Sequence, residues 1–156
     1  MPSPETTRFA PSPNGLLHVG HAFSALCAHD FAREFGGKIQ LRIEDIDGTR
    51  SRPEHVEAII EDMRWLGLDW DGEPVFQSQR IAAYLEALER LKASELVYRC
   101  WCTRGEIADA LKTQSVPHGP DGPVYPGTCR GVERIGENYC WRLDMEAAIV
   151  LAGPLV

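Results

Sequence analysis

Thr6-Thr7-Arg8-Phe9-Ala10-Pro11-Ser12-Pro13-Asn14-Gly15-Leu16-Leu17-His18-Val19-Gly20-His21 joins a strand, a broken loop and a helix start within 16 residues. Thr6 to Ala10 is short and β-compatible, and two prolines followed by Asn14-Gly15 stop it in an irregular loop. A helical pattern begins near His18, carries Leu26, Phe31 and Phe35 among alanines, and meets a strong stop at Gly36-Gly37. Ile39, Leu41 and Ile43 then alternate with Gln40, Arg42 and Glu44, which is strand periodicity. The first 45 residues read as β-loop-α-β.

Further along, Ser51 and Glu54 have the spacing of a capping box, and Val56, Ile59, Ile60, Met63 and Leu66 form an apolar helical face before Gly67. A second helix is expected with Ser78 as its cap and Ile81, Tyr84, Leu85, Leu88 and Leu91 on one face. A short strand, Leu96-Val97-Tyr98, follows. Residues 100–140 hold four of the five cysteines, and residues 115–127 alone carry four prolines and three glycines. This segment is expected to be a loop-rich insert with too little core of its own, which a metal would stabilise. Trp141 to Leu143 returns as a strand, and Met145 to Leu151 starts a helix that is expected to break off mid-element near Leu155-Val156.

The chain has 156 residues, 16 Lys+Arg against 23 Asp+Glu for a net charge of −7, 44% hydrophobic and 25% charged residues. That composition suits one soluble globular domain. No stretch approaches the roughly 18 uncharged apolar residues of a membrane span, and the opening MPSPETTRFAPSP lacks the basic and apolar regions of a signal peptide. A cytoplasmic protein without a membrane or DNA partner is expected, since no segment carries the basic stripe of a non-specific nucleic-acid binder. Five cysteines is an odd count, and without a secretory signal they read as metal ligands or free thiols before disulfides.

Two groups near the N-terminus carry chemistry. His18 and His21 lie three apart, hence on one helix face, with Gly20 between them at a helix N-terminus whose free N–H groups suit a phosphate. Imidazoles there could stabilise charge on a phosphate in a transition state; on spacing alone, ordinary surface histidines are an equal alternative. Glu44, Asp45 and Asp47 sit at the C-terminal end of a buried-looking strand, where open α/β sheets bind ligands. On composition alone they read more simply as solvated charges with Asp47-Gly48 as a turn. The dinucleotide fingerprint G-x-G-x-x-G is absent, so a nicotinamide or flavin cofactor has no support.

A third group lies in the insert: Cys100-x-Cys102, then Tyr125-x3-Cys129, with Cys140 beyond and His118 in the loop. Three thiolates within 30 residues read as a tetrahedral zinc site short of one ligand. From chemistry alone Cys140 or His118 would complete it, because a phenol of pKa about 10 is a reluctant ligand.

Arg8-Phe9-Ala10-Pro11-Ser12-Pro13-Asn14-Gly15, His18-Val19-Gly20-His21 and Arg42-Ile43-Glu44-Asp45-Ile46-Asp47 resemble, in order and spacing, the start of a class I glutamyl-tRNA synthetase catalytic domain. The resemblance continues through Leu66-Gly67-Leu68-Asp69-Trp70-Asp71 and Phe76-Gln77-Ser78-Gln79-Arg80. It implies an α/β fold, a Rossmann-like parallel sheet flanked by helices, with residues 1–156 as the N-terminal part of the catalytic domain and a zinc-binding insert at about 99–140. The lysine-rich second signature of the class lies far downstream in the family and has no counterpart after His118.

By the same resemblance, Arg8 pairs with a carboxylate of bound glutamate, Phe9, Ala10, Pro11 and Ser12 line the amino-acid pocket, and Glu44 receives the α-ammonium group. A buried Arg and a buried Glu would reject glutamine by leaving a charge unpaired. His18, Gly20 and His21 would bind ATP, supplied with Mg2+, and the two histidines would stabilise the α-phosphate transition state. Cys-x-Cys with Tyr-x3-Cys is similar to the zinc site of the glutamyl-queuosine tRNA(Asp) synthetases, the short branch of this family, and implies one structural Zn2+ on Cys100, Cys102, Tyr125 and Cys129. In that branch ATP activates L-glutamate, which passes to the queuosine base of tRNA(Asp). A monomer is expected. A glutamyl-tRNA synthetase charging a tRNA 3′ end, or a zinc-stabilised binding module without catalysis, are the alternatives.

Overall fold

Alternation along β2 (Lys38–Ile43) turns Ile39, Leu41 and Ile43 into the protein interior, each at most 1% exposed. β1 (Thr6–Phe9) and β3 (Val75–Phe76) pair with β2 on either side, both parallel to it, in the order β1-β2-β3. Parallel neighbours need crossovers, supplied by α1 (Val19–Glu34) between β1 and β2 and by α2 (Pro53–Trp65) between β2 and β3. The computed structural model describes residues 5–114, 116–120 and 122–153. Leu155 and Val156, where the sequence reading ends the chain early, lie outside them, as do residues 1–4. Among the described residues no helix is long and apolar enough to cross a membrane.

The chain divides into two units, Met1–Tyr84 and Leu85–Val156. The core of the first is Phe9, Ala25, Leu41, Ile43, Ile59, Met63 and Leu68. α1 packs through small residues: Ala25 and Ala32 are buried while Leu26, Phe31 and Phe35 stay exposed. The expected apolar face of α1 is therefore not the face that meets the sheet. Alanines let the helix approach closely enough for the Thr7 hydroxyl to donate to the Ala28 carbonyl at 2.8 Å. On α2, Ile59 and Met63 are fully buried, as the 3.6-residue period predicts.

Two cap expectations are corrected. The Ser51–Glu54 box does not form; Arg52 is the N-cap of α2, without a side-chain bond, and Pro53 opens the helix. The Ser51 N–H is taken by the Asp47 carbonyl at 2.9 Å, and proline at the first helical position removes a donor that would need capping. Ser78 does not cap α3 (Ile81–Ala93) either. It lies in a 3-10 turn, Gln77–Arg80, and its N–H and hydroxyl donate to Asp45 at 2.9 and 2.6 Å.

Gly37, at the entry to β2, has no room for a side chain: a Cβ there would lie 2.0 Å from the Glu5 carbonyl oxygen, which accepts the Lys38 N–H at 3.2 Å. Gly37→Ala must displace backbone at the β1–β2 junction, so a loss of about 1–3 kcal/mol is expected. A lower urea midpoint at unchanged slope would record it; an unchanged midpoint would show that the junction yields without cost.

In the second unit, β4 (Val97–Cys100) pairs antiparallel with β7 (Cys140–Leu143), matching Cys100 to Cys140 and Tyr98 to Arg142. Between them lie α4 (Arg104–Thr113), the short antiparallel pair β5 (His118–Gly119) and β6 (Gly122–Pro123), and a loop; α5 (Met145–Ala152) follows β7. The insert thus holds a helix that the loop-rich reading did not anticipate, opened by a Thr103–Glu106 capping box. Among the described residues beyond 84, the only buried apolar side chains are Cys100 and Cys129.

Candidate active site and metal centre

The loop after β1 forms the first site. Pro11 and Pro13 are buried, and the Pro11 carbonyl accepts the Glu44 N–H at 3.0 Å, which ties the loop to the end of β2. Arg8, Phe9, Ala10, Pro11 and Ser12 line a cavity of about 440 Å3, completed by Asn14 and, from the first turns of α1, His21 and Ser24. Sequence reasoning did not single out Asn14 or Ser24. Glu44 and His18 are not among the lining residues.

The buried Arg–Glu pair expected from the resemblance is not what the structure holds. Arg8 is exposed and Glu44 half-buried. Glu44 accepts a hydrogen bond from the Arg42 guanidinium, its neighbour two residues away on the same strand face. Asp45 is engaged by Ser78. Asp47 accepts from the Thr49 N–H and hydroxyl and from Arg50 Nε, and these donors hold its carboxyl well below the usual carboxylate range. Asp47 therefore organises a turn, as the plainer reading of composition has it.

The two histidines cap α1 reciprocally. His18 Nδ1 accepts the Gly20 N–H at 3.1 Å, and His21 Nδ1 accepts the His18 N–H at 3.2 Å; the rings lie 3.9 Å apart between centroids. With both Nδ1 atoms accepting, each neutral ring carries its proton on Nε2. The pair thus presents two N–H donors at a helix N-terminus that has already spent its capping groups. Gly20 is the close approach that permits this, since a Cβ there would lie 2.9 Å from His18 Cε1.

The second site forms in the insert. Cys100 closes β4, Cys102 lies just before the α4 cap, and the turn at Gly127, with φ 75°, folds Cys129 back toward them. The ligand atoms of Cys100, Cys102 and Cys129 lie within 4.8 Å of one another, Cys102 and Cys129 Sγ at 3.3 Å. The Tyr125 hydroxyl stands 3.2 Å from Cys100 Sγ and 3.6 Å from Cys102 Sγ, and accepts the Cys129 N–H at 3.2 Å. Zn–S bonds of about 2.3 Å place tetrahedral sulfurs about 3.8 Å apart, so three thiols and a phenol oxygen at these separations fit a zinc ion. Cys140 is exposed and outside the cluster, and so is His118. Thr128, which sequence reasoning missed, contacts both Tyr125 (2.9 Å) and Cys102 (3.2 Å); only its place inside the Tyr-x3-Cys spacing hinted at it.

Electrostatics distinguish the donors. Burial pushes the Cys100 thiol up, but hydrogen bonds with Tyr125, Arg142, the Cys102 backbone and Cys129 outweigh it and bring it down to about 6. Thr128 lowers Cys102, yet burial and the neighbouring sulfurs leave it raised. Burial and the adjacent sulfurs raise Tyr125. A divalent cation held by these groups would draw off their protons.

Residues 5–138 match the tRNA synthetases class I (E and Q), catalytic domain. The chain belongs to this family. It is 53% identical over 154 residues to a glutamyl-Q tRNA(Asp) synthetase of Rhodobacter capsulatus, covering 94% of this chain and 55% of the relative. It is 51% identical over 123 residues to a glutamate–tRNA ligase of Geobacter sulfurreducens, covering 79% and 26%. Among solved structures, a glutamate tRNA ligase from Elizabethkingia meningosepticum in complex with its amino acid superposes with a TM-score of 0.61 at 33% identity, over 71% of this chain and 24% of that one. The chain spans about half the length of the glutamyl-Q relatives it matches. The α/β class and the parallel sheet expected for the family are those observed.

Proposed function

We propose that the protein activates L-glutamate with ATP and transfers it to the queuosine base of tRNA(Asp). The observation that carries this reading is the convergence of Tyr125 with three cysteines in the pattern of the glutamyl-queuosine branch, supported by relatives of that name over nearly the whole chain. In this proposal residues 1–156 belong to the catalytic domain, with a metal-bearing insert at about 99–140. The protein acts as a cytoplasmic monomer.

Arg8 at the cavity mouth pairs with a substrate carboxylate, Phe9 to Ser12 shape the pocket, and Glu44, released from Arg42, receives the α-ammonium group. The glutamate carboxylate attacks the α-phosphorus of Mg2+-bound ATP and pyrophosphate leaves. Gly20 keeps the backbone open to the nucleotide, and the Nε2 protons of His18 and His21 donate to the phosphate oxygens as charge builds. Positioning and electrostatics carry the step, with no covalent enzyme intermediate. Cys100, Cys102, Tyr125 and Cys129 hold zinc, which contributes structure only.

His21→Ala is expected to slow adenylate formation more than it weakens ATP binding, because only interactions made in the transition state raise the rate. Single-turnover kinetics beside ATP titration separate the two; equal losses, or none, would return the histidines to a capping role alone. The substrate is tested with labelled glutamate, ATP and three RNAs. Label on tRNA(Asp) carrying queuosine, and on neither unmodified tRNA(Asp) nor tRNA(Glu), is expected. The similarity to glutamate–tRNA ligases supports a second reading, charging of a 3′ end, and label on tRNA(Glu) would establish it.

A further inference from the structure

β4 and β7 have two faces. Register pairs Tyr98 with Arg142 and Cys100 with Cys140, so alternation places these four on one side of the strand pair and Arg99 and Trp141 on the other. The Arg99 side is self-contained: its guanidinium lies over Tyr139 and Trp141 at 4.8 and 5.5 Å. On the cluster side, the Arg142 guanidinium sits 4.0 Å above the Tyr125 ring, whose hydroxyl touches the Cys100 and Cys102 sulfurs. Arg142 Nε is buried and has no hydrogen-bond partner among the described residues. A buried guanidinium atom without an acceptor is costly, unless a strong negative charge occupies the space beside it.

We infer that Arg142 is the positioning cation of the metal centre: it stacks on Tyr125 to hold the phenol oxygen over the sulfurs and offsets the excess negative charge of the loaded cluster. The inference rests on the zinc reading proposed above. Three thiolates and a phenolate around Zn2+ leave a net charge of −2, which Arg142 halves. No other cation stacks on the Tyr125 ring among the described residues; Arg130 lies over Tyr98 and pairs with Asp144 and Glu146. Partners of this outer kind alter metal affinity by roughly 10- to 100-fold.

Zinc affinity is measured by competition with a chromophoric chelator on the wild-type chain and three variants, each also followed by circular dichroism. Arg142→Gln is expected to weaken zinc binding about 10- to 100-fold. Arg142→Lys, which keeps the charge, should recover most of that loss, and Arg99→Gln, on the opposite face, should bind zinc as the wild type does. Arg142→Gln with unchanged affinity would overturn the inference. So would equal weakening by Arg99→Gln, which would mark general damage to the strand pair, or Arg142→Lys as weak as Arg142→Gln. A wild-type chain that takes up no zinc would overturn the metal reading itself and this inference with it.

Discussion

On the proposed zinc reading, stripping the metal with a chelator is expected to unfold the insert around residues 100–140, and Cys129→Ser is expected to do the same without a chelator. The reason lies in what the second unit lacks. Cys100 and Cys129 are the only buried apolar side chains among its described residues, so no conventional core remains once their sulfurs cease to be held together. Structural zinc sites bind with about 10–16 kcal/mol at pH 7, as much as the whole stability of a typical domain, about 5–15 kcal/mol. Limited proteolysis reads the outcome: new cuts between residues 103 and 135 after chelation, their loss when zinc is restored, and protection of the sheet in residues 5–84, whose core contains no residue of the insert. Identical cleavage with and without metal would show that the insert stands by other means.

Arg8→Ala is expected to abolish discrimination between glutamate and glutamine. A charged partner removed from a ligand carboxylate costs on the order of 2–5 kcal/mol, roughly 30-fold or more in apparent affinity. The exposure of Arg8 places the expected loss toward the lower end, because an open site is less desolvated. The loss should fall on glutamate alone and leave ATP binding unchanged. Equal loss for both amino acids would assign Arg8 to the fold of the loop rather than to recognition.

The β1-loop-α1-β2 order could be read from residues because its signals are local. Ile39, Leu41 and Ile43 alternate, Pro11 and Pro13 cannot continue a strand, and glycines at 36 and 37 stop the helix. Depth was less legible. Alternation places Arg8 and Glu44 on a side of the strand but does not say how far solvent reaches, and it does not show Arg42 claiming Glu44. On α1 the large side chains Leu26 and Phe31 carry the apolar signal, whereas a parallel sheet at close range accepts alanine. In the insert, clustered proline and glycine hid α4, although Thr103 and Glu106 carried its capping box in plain view. The choice among Tyr125, Cys140 and His118 also lay beyond spacing, since the turn at Gly127 and the pairing of β4 with β7 decide which donor reaches the sulfurs.

Glutamate activation is the step that the proposed function assigns to the histidine cap and the Arg8 cavity. ATP–pyrophosphate exchange on the protein, without any tRNA, measures it directly. Exchange with glutamate and none with glutamine is the predicted result. Equal exchange with the two amino acids, or exchange that appears only when tRNA is added, would contradict it.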